Sequence, residues 1–290
     1  MVTAQQVKDL REMTGAGMMD CKKALVETDG NIDEAVKWLR ERGIAKAAKK
    51  IDRIAAEGVC SFAIDGNKAV VFEVNSETDF VAKNEKFLNL VERIGKALLS
   101  QNVNSDEEAL NIEFEGETVA NMLINATAQI GEKITLRRVS QYTKSDTQNF
   151  GAYSHMHGKI VAFTILEGGN EECAKDVCMH IAAMNPKYLN IESVDPAVIE
   201  SEKEVFTQAA LAEGKPANIV EKMVVGRVQK YLKENCLVNQ LFVKDDSVTV
   251  EQFVASNGGK ILSYVRLEVG EGIEKRHDDF AAEVAAAVAK

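Results

Sequence analysis

The feature that most limits the fold is a change of hydrophobic period near Glu57, after which one order of elements occurs twice. Val59-Cys60-Ser61-Phe62-Ala63-Ile64, the turn Asp65-Gly66-Asn67 and Ala69-Val70-Val71-Phe72-Glu73-Val74 read as a β-hairpin. Helices are expected around 84–99 and 117–129, followed by a strand, Ile134-Thr135-Leu136-Arg137-Arg138-Val139. The order then recurs. A strand over 151–157 pairs across His157-Gly158 with Lys159-Ile160-Val161-Ala162-Phe163-Thr164-Ile165-Leu166, a helix follows over 170–184, and 261–269 supplies a late strand. Hairpin, helix, insertion, strand, twice over, implies two related α+β halves.

Ahead of these halves the chain reads as three short helices. Residues 4–12 put Val7 and Leu10 on one face, 20–27 follow, and Asn31-Ile32-Asp33-Glu34 offers a polar cap ahead of Ala35, Val36 and Leu39. The Ala- and Lys-rich stretch 43–50 reads as a helical or flexible tether into a new domain near Ala56. In the second half, 197–212 and 218–233 are two helices broken at Glu213-Gly214-Lys215-Pro216, an inserted antiparallel hairpin over about 195–236 with Ile219, Met223, Val224 and Val228 on one stripe. Residues 278–289 read as an amphipathic Ala/Val helix. The domains expected are a head with its tether (1–54), a first core half (55–143), a second core half (144–277) and a C-terminal module (278–290).

Composition excludes several functions. A formal charge of −10 argues against direct nucleic-acid binding, which needs a basic face. The charge is uneven: residues 1–53 carry 11 Lys/Arg against 9 Asp/Glu, the remainder 24 against 36, so a mildly basic head precedes an acidic body. No apolar run approaches the ~20 residues of a membrane span. The N-terminus lacks the marks of a secretory signal, so a cytoplasmic location is expected. Cys21, Cys60, Cys173, Cys178 and Cys236 lack metal-type spacing and read as free thiols in a reducing compartment.

No phosphate-loop or dinucleotide fingerprint is present: Gly258-Gly259-Lys260 lacks a leading glycine, and Gly270-Glu271-Gly272 lacks a third glycine opening a helix. His155 and His157 fall two apart on an expected strand and so share a face, but a metal would need further ligands. An enzyme is the weaker class, and no cofactor or metal is expected.

Two segments stand out. Thr78-Asp79-Phe80-Val81 lies where a buried strand gives way to a helix, and two readings are open. In one, Asp79 caps the helix and Phe80 packs into the core; in the other, the junction presents an aromatic wedge beside a carboxylate. The second segment, Thr14-Gly15-Ala16-Gly17-Met18-Met19-Asp20, puts two glycines and two methionines in an inter-helix loop, either as an adaptable contact surface or tucked beneath the head.

Together these segments resemble the two signatures of the elongation factor Ts family, the nucleotide-exchange factors of elongation factor Tu. Leu10-Arg11, then Thr14 through Leu25, match the first, and Glu73-Val74-Asn75-Ser76-Glu77-Thr78-Asp79-Phe80-Val81-Ala82-Lys83 matches the second. The likeness covers the whole chain, including Gly214-Lys215-Pro216 and Glu268-Val269-Gly270-Glu271-Gly272-Ile273-Glu274-Lys275; the stretches after Val103 and over 233–246 depart from it. The resemblance implies a ubiquitin-associated-like three-helix head that grips the GTPase domain of elongation factor Tu through Arg11, Met18 and Met19. It implies that Thr78, Asp79, Phe80 and Val81 reach toward the partner's magnesium site, and that His155 adds a contact, with no role for His157. The implied partner is elongation factor Tu, GDP-bound and nucleotide-free, with neither nucleic acid nor membrane; a homodimer or a two-plus-two complex is open. The alternative is an adaptor whose similar head binds a different partner.

Overall fold

A computed structural model describes residues 2–214 and 216–274. The helix expected at 278–290 lies outside the described residues. The described chain divides into two compact units, one holding the residues up to Tyr142 with the segment from Glu268, the other Thr143–Leu267.

In the first unit, Thr3 opens α1 (Ala4–Thr14) by a reciprocal capping box with Gln6, and Gly15, at φ 64°, closes it. α2 (Met18–Glu27) follows and begins earlier than its apolar pattern implied, because Gly17 makes an extended backbone cap without a side-chain acceptor. Met18 and Met19 therefore form the first turn of a helix rather than part of a loop. Asn31 caps α3 (Ile32–Ala48) by accepting the Glu34 N–H at 3.2 Å. Leu10, Cys21, Ala24, Leu25 and Ala35 are fully buried at the centre of the three helices.

The hairpin forms as its alternation predicts. β1 (Glu57–Asp65) and β2 (Lys68–Ser76) pair antiparallel from Glu57↔Ser76 to Asp65↔Lys68, leaving a two-residue turn in which Gly66 takes φ +55°. The chain continues through α4 (Asp79–Ala82), α5 (Glu85–Ser100), α6 (Asp106–Asn111), the small hairpin β3 (Glu113–Phe114) and β4 (Glu117–Thr118), α7 (Val119–Ile130) and β5 (Thr135–Thr143). The sheet order is β1-β2-β5. α5 covers β1 and β2, enclosing Phe72, Phe87, Ile94 and Leu98 completely, each such side chain stabilising the fold by roughly 1.5–3 kcal/mol. The 43–50 stretch is no free tether: α3 runs to Ala48 and packs on α7, with Gly43 facing Ala128.

The second unit repeats the plan. β6 (Gln148–His155) and β7 (Ile160–Gly168) form a hairpin, α8 (Glu171–Met184) follows, and the sheet order is β6-β7-β10, with β10 at Gly259–Glu268. In each sheet the second hairpin strand is central and the late strand lies beside it, so the recurrence read in the sequence is a recurrence of topology. α8 approaches so closely that a Cβ on Gly151 would lie 2.3 Å from the Ala174 carbonyl oxygen, and glycine alone fits there. Between them lie the antiparallel pair α9 (Pro196–Ala212) and α10 (Ala217–Asn235), then β8 (Leu241–Phe242), β9 (Asp245–Thr249) and α11 (Val250–Ser256). The buried stripe of α10 is Val220, Val224, Val228 and Leu232; Ile219, expected on it, is exposed and Met223 only half-buried. The expected stripe was thus rotated by about one residue.

His180 on α8 gives this unit a pH dependence. Its buried ring accepts the Val243 N–H at Nδ1 (3.1 Å), so Nε2 carries the proton and donates to the Gln240 side-chain oxygen at 2.9 Å. Burial pushes the imidazole below its ordinary 6.5, with the Gln240 bond opposing the shift. A depressed folded pKa means stability is complete above the unfolded value near 6.5 and is lost as pH falls through the folded one. The melting temperature is expected to drop between pH 7 and pH 5, and His180→Gln to flatten that slope. An unchanged slope would remove His180 as its source.

Candidate functional site

β2 is the inner strand of its sheet, and its last residue, Ser76, hands the chain to a turn whose cap is Thr78 rather than Asp79. Thr78 is extended, and its hydroxyl accepts the Val81 N–H at 3.4 Å. Asp79, the first residue of α4, instead accepts from Lys83 Nζ at 2.7 Å, an exposed i,i+4 pair. Val81 packs on the first core and Ala82 is buried, which anchors the turn from below. Phe80 then points away from that core and is 80% exposed. The capping-and-core reading therefore fails on both counts.

The turn is clamped from one side. The Glu132 carboxylate, just after α7, accepts the Glu77 N–H at 3.0 Å, the Thr78 N–H at 2.9 Å and the Thr78 hydroxyl at 2.6 Å. Reciprocally, Glu77 accepts the Lys133 N–H at 2.6 Å and pairs with Arg53 at 3.2 Å. Ser76 Oγ donates to the Thr78 carbonyl at 3.0 Å. Sequence reasoning missed Glu132 and Lys133, and gave Glu77 no role beyond its place in the signature, for nothing local links positions 54 to 56 residues apart.

A second surface lies on the head. Arg11, Met18 and Met19, with Val2, Val7, Lys8 and Lys22, line a groove of about 450 Å³. Met18 and Met19 are 59% and 73% exposed, so they do not tuck beneath the head. The groove thus has an adaptable apolar floor with a rim of three cations, Lys8, Arg11 and Lys22.

His155 ends β6, exposed, with Nδ1 3.3 Å from the Tyr153 hydroxyl. His157 does not share its face. Met156, His157 and Gly158 take φ of 49°, 56° and 86°, a left-handed turn between the strands. Cys173 and Cys178 lie in the second core, where burial pushes both thiols up, the first to about 11. Among the described residues no group of three or more His, Cys, Asp or Glu side chains could hold a metal ion. No helix among them is long and apolar enough to cross a membrane.

Comparison with known proteins gives two family matches in chain order. Residues 2–39 match the UBA/TS-N domain, and residues 77–271 match the family described as Elongation factor TS. The elongation factor Ts of Acholeplasma laidlawii (strain PG-8A) is 54% identical over 294 residues, an alignment covering 100% of this chain and 99% of that protein.

Proposed function

The chain belongs to the elongation factor Ts family, and from that premise we propose that it binds elongation factor Tu in the cytoplasm and drives GDP release by inserting Phe80 near the partner's magnesium site. The observation that carries this reading is the outward, 80% exposed Phe80 on a turn whose neighbours are buried or clamped. Leaving a large aromatic in water costs the free chain about 2 kcal/mol that a partner's pocket can recover.

An exchange factor must bind the empty GTPase more tightly than the loaded one, and by linkage nucleotide must weaken its binding by the same factor. In this reading the head groove holds the partner through Arg11, Met18 and Met19, His155 adds a contact from the second unit, and the wedge acts only where the metal is held. Magnesium neutralises nucleotide phosphates, so displacing it loosens them. Exchange of this kind breaks no covalent bond and asks for no cofactor on this chain. Asp79, already matched by Lys83, plays the smaller part beside Phe80.

The linkage is measurable by calorimetry. Binding to nucleotide-free elongation factor Tu is expected to be at least tenfold tighter than to the GDP-magnesium form, a coupling of about 1.4 kcal/mol. Equal affinities would overturn the reading. Asp79→Ala is expected to slow GDP release only about twofold, in line with an exposed ion pair worth ~0.5 kcal/mol. A rate as slow as without any factor, with binding intact, would instead make Asp79 the principal group.

A further inference from the structure

The turn between α7 and β5, together with the end of α7, bonds to the wedge turn on one side and to Thr14 and residues 50–53 on the other, and no residue of it belongs to either signature. Toward the wedge, the two Glu132 oxygens take three donors: Oε2 the N–H groups of Glu77 and Thr78, Oε1 the Thr78 hydroxyl. By accepting that hydroxyl proton, Glu132 turns a lone pair of Thr78 Oγ1 toward the Val81 N–H and so completes the cap of the turn carrying Phe80. Toward the head, Lys133 Nζ donates to the Ile51 and Arg53 carbonyls at 2.5 and 2.9 Å, Lys50 donates to the Gly131 carbonyl, and Gln129 Nε2 donates to the Thr14 carbonyl at 2.8 Å. Thr14 ends the helix that carries Arg11.

From this geometry we infer that Glu132 is a positioning residue for exchange: it holds the 77–78 backbone so that Phe80 meets the partner already ordered. The inference rests on the reading of Phe80 as the exchange wedge. A side chain that touches no partner raises the rate here because the turn need not be frozen at the moment of insertion. Bonds to an ionised acceptor are the strongest of their kind, and three converge on one carboxylate. A glutamine in its place keeps one oxygen for the two N–H groups and can donate its amide to the Thr78 hydroxyl, so it preserves most of the clamp; an alanine preserves none.

The test is fluorescent GDP release from elongation factor Tu, titrated with the full-length chain as native, Glu132→Ala, Glu132→Gln, Phe80→Ala and the Phe80→Ala/Glu132→Ala double variant. Glu132→Ala is expected to lower the maximal rate about tenfold, with less than a twofold change in the half-saturating concentration. Glu132→Gln is expected to stay within about threefold of native. In the Phe80→Ala background, Glu132→Ala is expected to cost nothing more, since there is no wedge left to position. Losses that multiply in the double variant, or that fall on half-saturation alone, would show a merely structural role and overturn the inference. A slow Phe80→Ala with a native-like Glu132→Ala would fail Glu132 alone; a native-like Phe80→Ala would fail the wedge reading and Glu132 with it.

Discussion

Replacing Phe80 with alanine is expected to slow factor-driven GDP release about thirtyfold while leaving the melting temperature within about a degree of native. The two halves of this expectation come from one number. A side chain 80% exposed contributes almost nothing to the core of its own chain, and surface substitutions of that kind stay within about 0.5 kcal/mol. If the same ring is buried in a partner during exchange, its loss removes about 2 kcal/mol from the state that matters, which is the thirtyfold. Val81, one residue on, should behave oppositely. It packs on the first core, so truncating it mixes a stability loss with any loss of exchange. A Phe80→Ala protein that melts many degrees early would return the residue to the core.

The largest stability effect is expected at Glu73. This carboxylate is fully buried on β2, receives Arg137 Nε at 3.1 Å and Arg138 Nε at 2.8 Å, and accepts from Asn75 Nδ2 and the Gly270 N–H, both at 2.7 Å. Neighbouring strand residues ordinarily point to opposite faces. Both arginines reach Glu73 because Arg138 takes φ +55°, with the N–H groups of Arg138 and Val139 held by Asp106 at 2.8 and 2.7 Å. The guanidiniums also bind the returning segment, Arg138 through the Glu268 carbonyl and Glu271 carboxylate, Arg137 through the Glu271 carbonyl. Gly270 lies so near that a Cβ there would be 2.3 Å from the Ala56 carbonyl oxygen. Glu73→Ala would leave two cations without their buried partner and is expected to cost about 3 kcal/mol. Denaturant midpoints and hydrogen exchange at the Gly270 amide would both report it. An unchanged midpoint with a protected amide would mean the arginines find other acceptors.

Much of the fold was legible because its determinants are local. The period-two runs and Gly66 set the first hairpin in register, and Asn31, Asn84 and Asn170 cap the helices they precede. What was misread turned on backbone rather than pattern. Ser76, Thr78 and Asp79 can all cap, and only the extended conformation of Thr78 selects it. Three successive left-handed residues moved His157 off a strand that alternation alone would extend through it. Met18 and Met19 entered a helix because a glycine can begin one without a side-chain acceptor. The clamp at Glu132 was invisible for another reason: one carboxylate in a chain with 45 acidic residues carries no mark of which distant amides it will meet. The partner proposed for this chain was suggested by two matched signatures, since composition and periodicity describe a surface without saying what covers it.

Whether Phe80 drives exchange is read by following fluorescent GDP as it leaves magnesium-loaded elongation factor Tu on addition of the chain, native beside Phe80→Ala, with complex formation recorded in the same titration. The native chain is expected to accelerate release by orders of magnitude, and the variant to bind yet release about thirtyfold more slowly than native. Release no faster than without the chain, despite a stable complex, would contradict the account and leave an adaptor in place of an exchange factor.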